Sequence, residues 1–328
     1  MAVTIKDIAK QAGVSTATVS RVLSGQTAFY SEKTAKKVKK TAKKLGYQKN
    51  TAAVELVTRR SKVIAVILSS TKSNFSDQII NGIQQEARRH DLNVIIVFAG
   101  ENDSQMERKA LETVIERSVM GILLVAVNLN PANEDLLLNA NIPFLFLSIT
   151  IENRGLPFIT SDDFQIGYQA TKYLIDKDHS KIGFAAADLD SVTGQLRLDG
   201  YRHALADNGL PLNSGWVLGG DFAYEDGVNA MKQYGRKPEV TAVIASSDLA
   251  AIGVMNQARD YGLKIPADLA VMSIDGTKLC GIVRPQLTSV TQEFLEMGVR
   301  GMQQIISPPA KAAKSSFTPF KIIPRQSV

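Results

Sequence analysis

Residues 4–23 read TIKDIAKQAGVSTATVSRVL, and this stretch decides how the N-terminal part of the chain folds. Thr4 is a candidate helix N-cap with Asp7 three residues later, and apolar residues then recur at helical spacing. Gly13 can take the left-handed conformation that ends a helix, and Ser15 can cap a second helix. Two short helices joined through a glycine and a new cap predict a helix-turn-helix unit.

The second of these helices carries the residues that we expect to contact DNA. In a helix-turn-helix the second helix enters the major groove, and side chains near its N-terminus reach the base edges. Thr16 and Ala17 are therefore the predicted base readers, and Arg21 can bind guanine or a phosphate. Hydroxyl groups nearby suit phosphate oxygens, although Thr18 and Ser20 fit an ordinary solvated surface equally well. The predicted DNA-contacting residues of this unit are Thr4, Ser15, Thr16, Ala17, Thr18, Ser20 and Arg21.

Charge is distributed unevenly along the 328 residues. Residues 1–62 contain 14 lysines and arginines against three acidic residues, a balance of +11, whereas the rest of the chain has a balance of −5. A small basic module on a mildly acidic body indicates that a polyanion binds at one end. Many of the lysines fall on a predicted third helix over 32–45, where a solvated helix face is the alternative explanation.

Residues 4–23 closely resemble the headpiece signature of the LacI/GalR family of bacterial transcription regulators. Ser31-Glu-Lys-Thr34 and Leu45-Gly-Tyr47 follow at that family's spacing, and the resemblance runs from residue 3 to Arg325. It implies a regulator, most often a repressor, that binds a pseudo-palindromic operator as a homodimer. It also implies that a small molecule, typically a carbohydrate, sets the affinity for DNA from a separate domain.

The resemblance extends to a hinge between the headpiece and the body. In the family this segment orders on the operator as a helix, and a leucine from each subunit wedges into the minor groove. Asn50, Ala53 and Leu56 match that hinge, although a passive linker is the alternative because so short a helix is marginal in water. Lys49 replaces the usual proline, and the family's pattern is also broken at 54–55, so we expect a loose hinge.

From residue 63 onwards, apolar runs alternate with amphipathic stretches, which predicts an α/β body of two doubly wound parallel sheets. The resemblance implies the same: two lobes like those of periplasmic sugar-binding proteins, joined by three crossovers around a ligand cleft. The expected division is a headpiece over 1–48, a hinge over 49–62, an N-terminal lobe over 63–161 plus 293–319, and a C-terminal lobe over 162–292 plus 320–328.

Ligands of such sheets bind beyond the carboxyl ends of the strands. By resemblance, Arg197 matches an arginine that grips effector hydroxyls, and Asp275 matches an acid that accepts hydrogen bonds from them. An ion pair between the lobes is the alternative for these two residues, as is plain core packing for the aromatic candidates. The predicted effector-binding residues are Ser69, Ser70, Phe75, Val125, Ser148, Arg197, Phe222, Ser247 and Asp275.

Three of these positions, Val125, Ser148 and Ser247, are less polar than the family's usual residues. Because each buried hydroxyl of a ligand needs a hydrogen-bonding partner, a bare monosaccharide would bind poorly to such a pocket. The effector is therefore expected to be a modified sugar, a differently oriented one, or a molecule of another kind.

Other classes of protein find little support in the sequence. No apolar run approaches the 18 residues that span a bilayer, and residues 1–7 lack the core of an export signal. One cysteine and three scattered histidines predict no metal site, and no nucleotide-binding or hydrolase motif occurs. We therefore expect a cytoplasmic, nucleoid-associated regulator that needs no cofactor and is not an enzyme. A solute-binding protein and a regulator with a protein corepressor are the alternatives.

Overall fold

The computed structural model describes residues 3–47, 61–69, 74–100, 103–151, 154–307 and 313–328. Two compact units make up the chain, Met1–Arg60 and Ser61–Val328. The predicted hinge residues Asn50, Ala53 and Leu56, and the predicted cleft residue Ser70, lie outside the described residues.

The first unit contains the helix-turn-helix that local capping signals predict. Its helices are α1 (Ile5–Ala12), α2 (Thr16–Leu23) and α3 (Glu32–Lys44), with a 3₁₀ turn at Thr27–Phe29. The Asp7 carboxylate accepts a 2.9 Å hydrogen bond from the Thr4 backbone N–H, which completes a capping box at the start of α1. Gly13 ends α1 with φ at 62°, and the Ser15 hydroxyl caps α2 by accepting from the Thr18 N–H at 3.1 Å. The three helices pack around a small core of buried residues: Ile8, Ala9, Ala12, Val19, Val22, Val38 and Ala42.

The second unit contains two six-stranded sheets, and its alternation of strands and helices confirms the predicted α/β class. The strands of the first sheet are β1 (Val63–Leu68), β2 (Asn93–Phe98), β3 (Gly121–Val125), β4 (Phe144–Leu147), β5 (Phe158–Ser161) and β11 (Ser316–Thr318). They lie in the order β11-β5-β4-β3-β1-β2, and all pairs are parallel.

The strands of the second sheet are β6 (Ile182–Ala187), β7 (Val217–Gly219), β8 (Ala242–Ala245), β9 (Ala270–Asp275), β10 (Thr288–Gln292) and β12 (Phe320–Ile323). They lie in the order β12-β10-β9-β8-β6-β7, which repeats the plan of the first sheet. The edge strand β12 runs antiparallel to β10, and the other pairs are parallel. A short 3₁₀ turn at Ser214–Trp216 precedes β7.

Helices cover both faces of each sheet, because the central strands are apolar on both sides. The first sheet packs between α4 (Ser76–Arg89) with α12 (Phe294–Ile306) and α5 (Ser104–Glu116) with α6 (Pro131–Asn139). The second packs between α7 (Asp163–Ile175) with α8 (Val192–Asp207) and α9 (Tyr224–Tyr234) with α10 (Asp248–Asp260). A one-turn helix, α11 (Leu279–Ile282), lies between β9 and β10.

Helices α7 and α8 approach so closely that only glycine fits where they cross. A Cβ atom at Gly167 would lie 2.0 Å from the backbone oxygen of Arg197, and one at Gly200 would lie 2.0 Å from that of Phe164. Such distances are far inside van der Waals contact, so a larger residue at either position must push the helices apart. The close crossing therefore fixes the position of the α8 backbone at Arg197.

Candidate functional site

A cavity of about 240 Å³ lies where the carboxyl ends of the parallel strands of both sheets face each other, in the body of the protein. Loops that follow strands of the first sheet form one wall, and loops that follow strands of the second form the other. Seven of the nine predicted effector residues line it: Ser69, Phe75, Ser148, Arg197, Phe222, Ser247 and Asp275. The position predicted by the topology of parallel sheets is thus the position at which the cavity is found.

Val125 is a correction to the sequence prediction. Its side chain is 1% exposed and lies in the core cluster beneath α4 and α12, away from the cavity. It is the last residue of β3, and the cavity wall begins with the residues directly after it, Ala126, Val127 and Asn128. Side chains of a strand alternate between its two faces, so an error of one position is enough to exchange a pocket residue for a core residue.

Residues packed around the second sheet hold the Arg197 side chain in place. Its Nε donates to the Asp163 carboxylate at 2.8 Å, and its Nη1 donates to the Ser246 carbonyl oxygen at 3.0 Å. The guanidinium also lies 5.9 Å from the ring centroid of Phe222. The ion pair of Arg197 therefore lies within one lobe and not between the lobes, and its partner is Asp163 and not Asp275.

Asp275 ends β9 as a buried carboxyl that faces the cavity. Its Oδ1 accepts a 3.0 Å hydrogen bond from the Gln292 side chain. Burial raises the pKa of Asp275 well above its ordinary value; the Arg197 guanidinium opposes this shift, and the nearby carboxylates of Asp248 and Asp163 add to it.

Asp248 holds the backbone on both sides of Asp275 through hydrogen bonds. Its carboxylate accepts hydrogen bonds of 2.6 Å from the Ser273 hydroxyl and 2.6 Å from the Thr277 N–H. This acid is fully buried and does not line the cavity, so its contribution is to fix the backbone at the end of β9.

The two predicted aromatic residues both reach the cavity, but in different ways. Phe75 stacks on Phe294 of α12 with ring centroids 4.8 Å apart, so it belongs to the core as well as to the wall. Phe222 has a left-handed backbone with φ at 58°, and its ring lies beside Arg197. Ala126, Ser148 and Asp275 also line the cavity with positive φ. Backbone strain of this kind persists where the surrounding structure needs a particular geometry, as binding sites do.

A hydrogen bond between two loop residues joins the two cavity walls. Asn74, in the loop after β1, donates from Nδ2 to the Thr277 hydroxyl in the loop after β9 at 2.9 Å. Nothing in the sequence pattern indicated this pair, since 203 positions separate its members.

The first unit presents its predicted DNA-reading face to solvent. Thr16, Ala17, Ser20 and Arg21 are exposed along α2, and the Arg21 guanidinium lies 5.0 Å from the ring centroid of Phe29. The remaining predicted contacts, Thr4, Ser15 and Thr18, engage their hydroxyls in the two helix caps, so they hold the unit in shape as well as facing outwards.

Among the described residues, no three His, Cys, Asp or Glu side chains come together as a metal ion would require. None of the described helices is long and apolar enough to cross a membrane.

Comparison with known proteins identifies both units. Residues 4–50 match the family model of the bacterial regulatory proteins of the lacI family. Residues 61–307 match the model of periplasmic binding proteins and the sugar-binding domain of the LacI family. The chain belongs to the LacI family. The family predicted from residues 4–23 is thereby confirmed, and this LacI-family protein is a ligand-responsive transcriptional regulator with a helix-turn-helix domain.

Individual relatives agree along almost the whole chain. Catabolite control protein A of Priestia megaterium is 32% identical over 305 residues, which are 92% of this chain and 91% of that protein. A transcription regulator from Lactobacillus plantarum is 44% identical, with a TM-score of 0.74 over 81% of this chain and 98% of that one. The Lac repressor dimer, solved with operator and the anti-inducer ONPF, is 25% identical, with a TM-score of 0.88 over 100% and 99%.

Sequence reasoning missed several residues that line or support this LacI-family cleft. Asp163 is the most important, because it neutralises Arg197, and the signal that could have found it is the Asp162-Asp163 pair at the start of α7. The preceding strand β5 has only four residues and was not predicted, so the acids after it had no strand end to be assigned to. Asn74, Asn128 and Thr277 were also missed.

Proposed function

We propose that this protein represses transcription by binding a pseudo-palindromic operator as a homodimer, and that a carbohydrate effector in the cleft changes its affinity for DNA. The observation that supports this proposal most strongly is that one chain contains two formed sites. One is the exposed N-terminal face of α2, and the other is the cavity at the carboxyl ends of both sheets. A solute-binding protein would need only the second.

At the operator, Thr16 and Ala17 read the base edges from the major groove, and Arg21 contacts a guanine or a phosphate. The helix caps at Thr4 and Ser15 fix where α1 and α2 begin, and so place the first residues of α2 for this docking. We further propose that the hinge residues Asn50, Ala53 and Leu56 bind in the minor groove next to the headpiece site.

A second copy of the chain is proposed to cover the free edge of the first sheet. Strand β2 lies at that edge and exposes Ile96 (39%) and Phe98 (48%). Met106, at the start of the following helix, is 49% exposed as well. An uncovered apolar edge strand tends to pair with another chain. In a homodimer with two-fold symmetry the same surface of both subunits is covered, so no further chain can add. The Lac repressor, which matches over the whole chain, was solved as a dimer on its operator.

In the cleft, Asp275, Ser69, Ser148 and Ser247 are proposed to hydrogen-bond the effector's hydroxyls, and Phe222 to pack against its ring. Both lobes contribute, so the ligand binds both walls at once and favours the closed arrangement. The proposed unit boundaries are those expected from the sequence: a headpiece to residue 48, a hinge to residue 62 and the two lobes beyond. Such a regulator acts on chromosomal DNA and hence in the cytoplasm.

The test is selection of operator DNA from a random duplex pool with the full-length protein, followed by fluorescence anisotropy on the winning duplex. We expect a sequence with two related half-sites, bound at least a hundredfold more tightly than a shuffled duplex at about 150 mM salt. A variant with Thr16 and Ala17 exchanged should prefer different bases and melt at the same temperature. Equal affinity for winning and shuffled duplexes would contradict the proposal.

A further inference from the structure

Helix α3 of the first unit carries a dense set of positive charges on its solvent side. Seven of its 13 residues are lysines, and Glu32 is its one acidic residue. Val38 and Ala42 face the core of the unit, whereas every lysine side chain is exposed. These lysines are Lys33, Lys36, Lys37, Lys39, Lys40, Lys43 and Lys44. The outer face of α3 is therefore a positive surface that runs along the whole helix.

Helical spacing divides the seven lysines into two stripes, because residues three or four apart are neighbours on a helix. One stripe, here the near stripe, follows the spacing i, i+4, i+7 and i+11: Lys33, Lys37, Lys40 and Lys44. The other, the far stripe, follows the spacing i, i+3 and i+7: Lys36, Lys39 and Lys43. At 1.5 Å of rise per residue, the near stripe extends over about 16 Å.

The near stripe borders the turn that leads into the base-reading helix. The Lys37 Nζ lies 3.7 Å from the point that a Cβ atom on Gly13 would occupy. Gly13 ends α1, and α2 begins with Thr16 and Ala17 only three and four residues later. In the far stripe, the Lys36 Nζ pairs with the Glu32 carboxylate at 2.9 Å. The two stripes thus differ in place: one lies beside the DNA-reading end of the unit, and the other lies further round α3.

The stability of α3 does not account for this concentration of charge. Successive members of the near stripe are like charges at neighbouring positions, and such pairs destabilise a helix. Lys33 also lies in the first turn, where the helix dipole disfavours a positive charge. A face that served only to keep the unit in water would work as well with charges of both signs. A stripe of one sign matches a polyanion instead.

We propose that the near stripe is a further DNA-contacting surface, which binds phosphates of the duplex beside the bases that α2 reads. This inference rests on the operator binding proposed above and adds contacts to it. An ammonium group binds a phosphate as a point charge and carries no sequence information. The near stripe therefore strengthens binding to every duplex by the same factor and leaves discrimination between bases to Thr16 and Ala17. The far stripe stays solvated.

The experiment compares two triple variants of the full-length protein that lose the same charge from the same helix. The near variant combines Lys33→Gln, Lys37→Gln and Lys40→Gln, and the far variant combines Lys36→Gln, Lys39→Gln and Lys43→Gln. Glutamine forms helices about as well as lysine, so both variants should melt no lower than the wild type. Anisotropy titrations of the selected operator and of its shuffled duplex, from 50 to 200 mM KCl, give the salt slope of each protein.

The expected difference follows from counterion release. Each phosphate contact contributes about 0.9 to the slope of log affinity against log salt, so three contacts contribute about 2.7. We expect the near variant to lower the slope by at least that amount on both duplexes, with the ratio of the two affinities unchanged within about threefold. The far variant should change the slope by less than about 0.9, the effect of one contact. Lys33→Arg, Lys37→Arg and Lys40→Arg together keep the charges and should keep the wild-type slope.

Each other result overturns the inference. Equal losses of slope in the two glutamine variants would show that only the net charge of the unit acts, and an unchanged slope in the near variant would show a solvated face. A near variant that loses affinity for the operator alone would make the stripe part of base recognition. The proposed operator function is tested separately: wild type that binds both duplexes equally contradicts it, while the comparison of slopes still decides whether the near stripe contacts DNA.

Discussion

The buried ion pair between Arg197 and Asp163 yields the most demanding prediction. Replacing Arg197 with methionine keeps a long side chain in the site but removes the charge and both hydrogen bonds. The Asp163 carboxylate, 3% exposed, is then left without its cation in a place that water hardly reaches.

The size of the effect follows from that burial. Removing one partner of a buried ion pair costs about 3–5 kcal/mol, because the remaining charge is neither solvated nor paired. We expect R197M to lower the free energy of unfolding of the second lobe by that amount. Adding Asp163→Asn to R197M removes the stranded charge, so the double variant should recover about half of the loss or more. The R197K control keeps a charge and should cost less than R197M.

Urea titration followed by tryptophan fluorescence measures these differences in the right place. Trp216 is the only tryptophan of the chain, and it packs against the core cluster of the second sheet. Its signal therefore reports unfolding of that lobe. A loss in the free energy of unfolding below about 1 kcal/mol for R197M, or a double variant no more stable than R197M, would contradict this prediction. It would show that the buried Asp163 carboxylate does not need the charge of Arg197.

Three further predictions concern other parts of the chain. Because the pKa of Asp275 is raised in the folded protein, the wild type should lose stability as the pH rises from about 4 through that raised pKa. The Asp275→Asn variant should lack this loss. A difference in urea midpoint between the wild type and the variant that stays constant from pH 4.5 to 7.5 would contradict the prediction. Gly167→Ala would place its Cβ 2.0 Å from the facing helix and should cost about 1–3 kcal/mol in thermal melts. Gly281→Ala, whose Cβ meets nothing within 4 Å, is the control, and equal melting temperatures refute the helix-crossing argument. Phe29→Leu removes the ring beside Arg21 and should weaken operator binding about two- to fivefold in anisotropy titrations, without a change in melting temperature because Phe29 is 62% exposed. Unchanged operator affinity would show that this contact does not support DNA binding.

The headpiece could be predicted from sequence because its determinants are local. The Thr4–Asp7 capping box, the left-handed Gly13 and the Ser15 cap all act within a few residues, and each forms as predicted. The alternation of apolar runs and amphipathic stretches likewise predicted the α/β class of the body. The short strands β5, β7 and β11 were not predicted, since such short runs carry too little pattern to be distinguished from loops. The helices α6 and α9 were not predicted either.

The chemistry of the cleft could be predicted only in part, because its partners are distant in sequence. Strand ends and resemblance predicted that Arg197 and Asp275 share one site, and both residues line the same cavity. The acid that pairs with Arg197 lies 34 positions away, so its identity depends on how α7 and α8 cross. The misplaced Val125 shows that even the residue at a strand end is uncertain by one position.

Reciprocal coupling between the two sites is the central claim, and one pair of titrations tests it most directly. The dissociation constant of the operator is measured with and without saturating effector, and that of the effector with and without saturating operator. Because coupling free energy is shared, both ratios must equal the same factor, which is typically 5 to 150. We predict equal ratios that clearly differ from one. Ratios of one in both directions would contradict the account, since ligand binding in the cleft would then leave the affinity of the headpiece for DNA unchanged.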